Sequence, residues 1–207
     1  MKHEWRKKEK QLYLPPAKPE IVTIPPFQFF TIKGSGNPND PAFGEYIEAL
    51  YAASYAIRMS YKKGLQPAGF FEYTVYPLEG VWDLSVEAKK HYDGTIDKDE
   101  LVFNLMIRQP EFVSDEFAHQ AIVWAKQKKA NPIIEQLQFE EIAEGHCVQM
   151  MHLGSYDTEP ESFETMEAFC AQNNLRRKAK NHREIYISDP RKVAPDKLKT
   201  VLRFEVE

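Results

Sequence analysis

The chain carries one supersecondary pattern twice, and this repeat constrains its fold more than any single residue does. Ile32-Lys33-Gly34 is followed by a loop, Pro41 and Phe43, nine positions after the glycine. His152-Leu153-Gly154 is followed by a loop, Pro160 and Phe163, again nine after the glycine. Farther on, the run Phe71-Glu72-Tyr73-Thr74-Val75-Tyr76-Pro77 aligns with Glu184-Ile185-Tyr186-Ile187-Ser188-Asp189-Pro190 when the prolines are matched. Each half then reads strand, helix, strand, strand. A single βαββ unit leaves a sheet edge uncovered. Two such units related by a pseudo-two-fold axis can share one antiparallel sheet, with helices on one face and a ligand groove on the other. The expected fold is therefore α+β. Its halves cover about 21–110 and 139–207, and a helix at about 114–130 joins them.

Local signals place the elements. Residues 1–20 are charged and then proline-rich, which predicts a mobile N-terminal arm and an extended lead-in to a domain over 21–207. Ile21 to Lys33 is β-rich but interrupted by Pro25-Pro26. The loop Gly34 to Asp40 lacks the GK[ST] ending of a phosphate cradle. Pro41 to about Lys62 predicts a helix with Phe43, Ile47, Leu50, Ser54 and Ile57 on one stripe, flanked by Tyr46, Tyr51 and Tyr55. Phe70 to Tyr76 reads as a strand closed by Pro77, and Leu78 to Trp82 as an ordered turn. Residues 86–100 read as a long loop that is a candidate lid. Strands are expected at Leu101–Ile107, His146–Leu153, His182–Ser188 and Thr200–Val206. An amphipathic helix is expected from Ser114 to about Ala130. Another begins at Thr158, where Glu161 completes a capping box, with Phe163, Met166, Phe169 and Cys170 on its apolar face.

Bulk properties exclude several function classes. A net charge of −4 gives the whole chain no field that would attract nucleic acid. No apolar run approaches the ~20 residues needed to span a membrane, and no secretory signal follows the charged start. Two cysteines without a CxxC spacing point to a reducing, cytoplasmic setting and argue against a zinc site. His146 and His152 share strand parity, but nothing completes a ligand set around them. Neither a metal nor another cofactor is expected. Aromatic residues make up 13% of the chain, enough for a large core or for a cavity that takes flat organic molecules.

The late strand carries the most specific chemistry. Glu184, Tyr186 and Ser188 share one face, and Ile185 and Ile187 the other. A glutamate on a strand is more often exposed and paired with a neighbouring cation than sheltered. If instead it lies among rings, desolvation raises its pKa and makes it a usable base near neutrality. His182 is on the same face, where it either tunes the Glu184 pKa or merely caps the strand. A protein partner is conceivable, but no residue pattern supports one.

Several motifs together resemble the GyrI-like small-molecule-binding proteins, a fold shared with the ligand domains of multidrug-responsive transcription regulators. They are Tyr13-Leu14-Pro15-Pro16, Lys33 to Pro38, Tyr76 to Trp82, Leu105 to Pro110 and, above all, the run from His182 to Arg203. The resemblance covers nearly everything from Tyr13 onward. It implies an aromatic-lined groove with a key glutamate on a late strand, matched here by Glu184. For stand-alone members it implies hydrolysis of cyclopropane-bearing genotoxic compounds, a detoxifying activity. On that reading Glu184 activates water, and Tyr186 or Tyr73 bonds the oxygen that gains charge. Trp82, Phe71, Phe30 and Phe103 stack on the ligand, while Tyr51, Tyr55 and His182 complete its surroundings. The alternative is a drug-binding or sequestering protein without turnover, or a modulator of a partner protein. The chain departs from stand-alone relatives in having Asp83 after Trp82, and Leu101 and Phe103 where tryptophans are usual.

Overall fold

The structure is a computed structural model and describes residues 2–207. Two short helices, α1 (Trp5–Lys8) and α2 (Lys10–Tyr13), precede strands β1 (Glu20–Ile24) and β2 (Phe27–Ser35). Then come α3 (Phe43–Arg58), β3 (Leu78–Leu84), α4 (Val86–Lys90), β4 (Leu101–Gln109), α5 (Asp115–Lys128) and β5 (Gln138–Ile142). The chain ends with β6 (Gly145–Leu153), α6 (Glu159–Gln172), β7 (His182–Tyr186) and β8 (Lys199–Glu205). The fold is α+β with antiparallel ladders. The expected βαββ order occurs twice along the chain, as β2-α3-β3-β4 and β6-α6-β7-β8.

Four local expectations need correction. Phe70–Tyr76 is not a strand; apart from an isolated bridge between Tyr73 and His3, its residues pack through their rings. Phe71 and Tyr73 lie edge-on to Phe112 at 5.1 and 6.0 Å. The strand instead begins at Leu78, just after Pro77, which has no N–H to give to a ladder. Residues 86–100 open with a helix capped by the Ser85 side chain, which accepts from the Ala88 N–H. Thr158 forms no capping box. Its side chain makes no cap hydrogen bond to the helix, and its hydroxyl donates instead to the Ser155 carbonyl at 2.8 Å. Residues 5–8 and 10–13 are helical, and Trp5 and Tyr13 are buried with their rings 5.2 Å apart. A segment that buries a tryptophan is an anchored part of the fold, not the mobile arm that its charge suggested.

The chain divides into two compact units. The first comprises Lys2, His3, Phe27–Leu78 and Asp83–Ile142. Its ladder runs β4-β2-β5, and α3 and α5 pack on each other. Both helices bury small residues, Ala49 and Ala53 on α3 and Ala118, Ala121 and Ala125 on α5. Small side chains let two helix backbones approach closely, so α5 buries its alanines while Phe117 and Trp124 are only partly covered. Gly34 on β2 sits opposite Phe103 on β4. A Cβ there would fall 2.5 Å from the Phe103 ring, which Phe43 and Tyr46 hold edge-on at 5.2 and 5.3 Å. Gly34→Ala is therefore expected to destabilise the protein by about 1–3 kcal/mol, read as a lower urea midpoint at unchanged slope.

The second unit comprises Glu4–Pro26, Glu79–Trp82 and Ala143–Glu207. Its ladder runs β1-β6-β8-β7 and then the Glu79–Trp82 part of β3. Strand parity separates its two faces. One carries Val148, Met150, Leu202 and Phe204, which form a core with Met166 and Cys170 of α6, flanked by Phe163 and Phe169. The opposite face carries Arg183, Arg203, Gln149 and Glu79 in a buried ionic network. Arg183 bonds Glu79 at 2.7 Å and Glu144 at 2.8 Å, and Arg203 bonds Glu144 at 3.0 Å. Arg203 also donates to the Leu12 carbonyl at 2.9 Å, and Gln149 to the Gln11 carbonyl at 2.7 Å. The network thus satisfies backbone carbonyls of the N-terminal helices, which explains why that charged segment is ordered.

Candidate functional site

Four of the ten residues singled out from the sequence gather in the second unit, on the α6 face of the sheet. The register sets Glu184 between Gly80 of β3 and Leu202 of β8, and His182 beside Trp82. Two-residue periodicity then puts His182, Glu184 and Tyr186 side by side. Tyr186 donates its hydroxyl proton to Glu184 Oε2 at 2.8 Å, and His182 Nε2 is 3.0 Å from Glu184 Oε1. Trp82 Nε1 donates to the Tyr186 oxygen at 2.7 Å. The result is a chain of directed bonds, Trp82 to Tyr186 to Glu184, with the histidine on the remaining carboxylate oxygen. The side chain of Glu184 is 12% exposed, so it is sheltered but reachable. Gly80 contributes no side chain next to it. Rings surround the cluster: Tyr156 stands perpendicular to Tyr186 at 6.0 Å, and Phe163 packs against His182 at 4.6 Å.

The electrostatics are those of an enclosed acidic site. Burial, and then the adjacent Glu184 charge, push the Tyr186 phenol well above its ordinary range, so it stays a proton donor. Burial followed by Glu184 and Glu159 pushes Tyr156 up to about 12. A raised carboxyl in this cluster is one that sequence reasoning missed, Glu159 at the start of α6. Burial, then the charge and hydrogen bond of Glu184, then Asp157 hold it well above the carboxylate range. In sequence, an acidic residue beside Pro160 in a helix's first turn has an ordinary explanation in the helix dipole, which hides its second role. Glu159, His182 and Glu184 each present one oxygen or ring nitrogen within 4.8 Å of the others. Of these groups, His182 and Glu184 already engage each other through Nε2 and Oε1 at 3.0 Å.

Removing the Glu159 charge has a signed consequence for stability. A carboxyl whose folded pKa is raised costs nothing below the unfolded value of 4.5 and costs most above its folded value. Glu159→Gln should therefore raise the melting temperature, by a margin that grows as pH rises from about 5 to 9. Thermal unfolding across that range checks it; a margin that shrinks with pH would contradict it.

The other six residues lie in the first unit. Phe30 on β2 is fully buried and packs on Phe139 at 5.5 Å. Phe103 is the ring that Gly34 accommodates. Tyr51 and Tyr55 on α3 have ring centres 6.2 Å apart, and Tyr55 is exposed. Phe71 and Tyr73 belong to a ring cluster with Phe112, Tyr76 and His3. Tyr73 is fully buried, and desolvation raises its phenol strongly.

Comparison with known proteins bears on the family and the fold. A family model described as GyrI-like small molecule binding domain matches residues 17–207. A hydrolase from Listeria innocua is 32% identical over all of both chains, with a TM-score of 0.89. A second, the hydrolase encoded by lin2189 from Listeria innocua, is 34% identical over all of both chains, with a TM-score of 0.90. The EcmrR C-terminal domain shares the fold at 14% identity and a TM-score of 0.53, covering 92% of this chain and 97% of its own. No curated protein matches the chain. Among the described residues, no helix is long and apolar enough to cross a membrane.

Proposed function

This chain belongs to the GyrI-like small-molecule-binding family, and from that premise we propose that it hydrolyses cyclopropane-bearing genotoxic compounds, with Glu184 activating the water. The observation that carries this reading is the fixed carboxylate. Glu184 has one oxygen on Tyr186 and the other on His182, and Tyr186 is itself oriented by Trp82. A general base works when its geometry is set before the substrate arrives. Glu184 takes a proton from water while the water oxygen bonds to the cyclopropane methylene. The ring carbon–carbon bond breaks, its electron pair passes into the conjugated carbonyl, and the proton taken by Glu184 returns through solvent to that carbonyl oxygen, which restores the base. Tyr186 donates to Glu184, so it positions the base and is not assigned to that carbonyl oxygen. The two Listeria innocua relatives described as hydrolases, similar along the whole chain, support a hydrolytic role. Cys147 and Cys170 are both free and buried, in keeping with a reducing, cytoplasmic setting.

The test is incubation with a cyclopropane-bearing alkylator and mass analysis of the products. A compound heavier by one water, formed at a rate proportional to protein, is the expected result. Recovery of the unchanged alkylator would refute the activity. In that case the acidic cluster with Trp82, Tyr156 and Phe163 around it favours a binder of planar cations, through charge and cation–π attraction.

A further inference from the structure

Glu159 is the one acidic group of this cluster that the mechanism above leaves unused. It enters from the first turn of α6 and is 6% exposed, and its Oε1 has no hydrogen-bond partner among the described residues. Its carboxyl presents an atom within 4.8 Å of a carboxylate oxygen of Glu184 and a ring nitrogen of His182. The groups that face it are Glu184 and His182 from β7, Asp157 from the turn before α6, and the protonated phenols of Tyr156 and Tyr186. No lysine or arginine among the described residues forms an ion pair with Glu159 or Glu184. Two carboxylates this close, sheltered and without a fixed cation, do not both ionise readily; a proton held between them removes the repulsion.

We propose that Glu159 and Glu184 form an acid–carboxylate pair holding one proton at neutral pH, and that a lipophilic monocation settling beside Glu184 displaces this proton into solvent. The charge balances: the pair carries −1 when it holds the proton, and two carboxylates with one bound cation also carry −1. Glu159 is thus a positioning residue that stores the proton and sets which ligand charge the site accepts. The displacement rests on the reading of Glu184 as the ligand-facing carboxylate; the stored proton does not. Affinity for a monocation should rise with pH as the stored proton is lost.

Infrared difference spectroscopy of the ligand-free protein tests the stored proton. At neutral pH, wild type minus Glu159→Gln should show the carbonyl stretch of one protonated carboxyl. In Glu184→Gln the like charge is gone, and the same band should titrate away at lower pH than in wild type. A difference spectrum showing only the loss of a carboxylate would overturn the pair. Calorimetry with rhodamine 6G tests the displacement, in phosphate and in Tris at one neutral pH. Wild type should release about one proton per cation bound, seen as a dependence of the heat on the buffer, and Glu159→Gln none. Equal buffer dependence in both proteins, or binding without proton release, would overturn the exchange. The infrared result is independent of turnover, so failure of the hydrolysis assay and failure of the proton pair are separable.

Discussion

Replacing Glu184 with Gln should abolish hydrolysis of a cyclopropane-bearing substrate while leaving ligand quenching of tryptophan fluorescence largely intact. Gln keeps the length and shape of Glu, and its carbonyl oxygen can still accept the Tyr186 hydroxyl, which the native carboxylate accepts at 2.8 Å. The orientation of Tyr186 by Trp82 is unaffected in kind, so Trp82 remains a reporter beside the site. What is lost is a group able to take the water proton. General-base catalysis typically contributes a factor of ~10²–10⁴, and a fall of that size in kcat with little change in KM is the expected signature. A parallel loss of quenching and turnover would instead make Glu184 a binding carboxylate, because its charge would then be what holds the ligand.

The largest effect on stability is expected at Arg183. Its side chain is 3% exposed and bonds Glu79 at 2.7 Å and Glu144 at 2.8 Å. Burial pushes the Glu79 carboxyl up against the pull of Arg183. At Glu144, burial acts the same way, but Arg183 and Arg203 outweigh it and hold the carboxyl low. Arg183→Met would leave Glu79 buried without its cation, and breaking such a pair costs about 3–5 kcal/mol. Equilibrium urea unfolding measures the loss. The sign of its pH dependence is also determined. Without Arg183, the folded pKa of Glu79 rises further, so the folded state binds more protons than the unfolded state above the unfolded pKa. The deficit should therefore shrink as pH falls from about 8 to 5. Arg183→Lys should not restore full stability, because an ammonium cannot span two carboxylates as a guanidinium fork does. A loss below about 1 kcal/mol in Arg183→Met would show that the network is not under the strain its burial implies.

Much of the frame was legible from local pattern. The βαββ order, the helix over Phe43–Arg58 and the strands around His146–Leu153 and Lys199–Glu205 follow from hydrophobic periodicity and from glycine and proline punctuation, which act over a few residues. The second strand of the first repeat was misplaced for a related reason. Matching Pro77 to Pro190 aligned two stop signals that end different kinds of segment, and the aromatic run before Pro77 has β-propensity that ring packing overrode. Similarly, the charges of residues 2–13 suggested a solvated tail, because only the three-dimensional structure brings Arg203 and Gln149 to their backbone carbonyls.

By itself the sequence determined that His182, Glu184 and Tyr186 share a strand face, because side chains alternate along any extended backbone. Their chemistry also followed from residue type. Which groups approach that face depended on strand register and helix docking, and both are set by contacts between residues far apart in the chain. That is how Trp82, more than a hundred positions from Tyr186, comes to orient it, and how Glu159 comes to lie against Glu184. The carboxylate was readable in advance; the neighbours that decide where its protons reside were not.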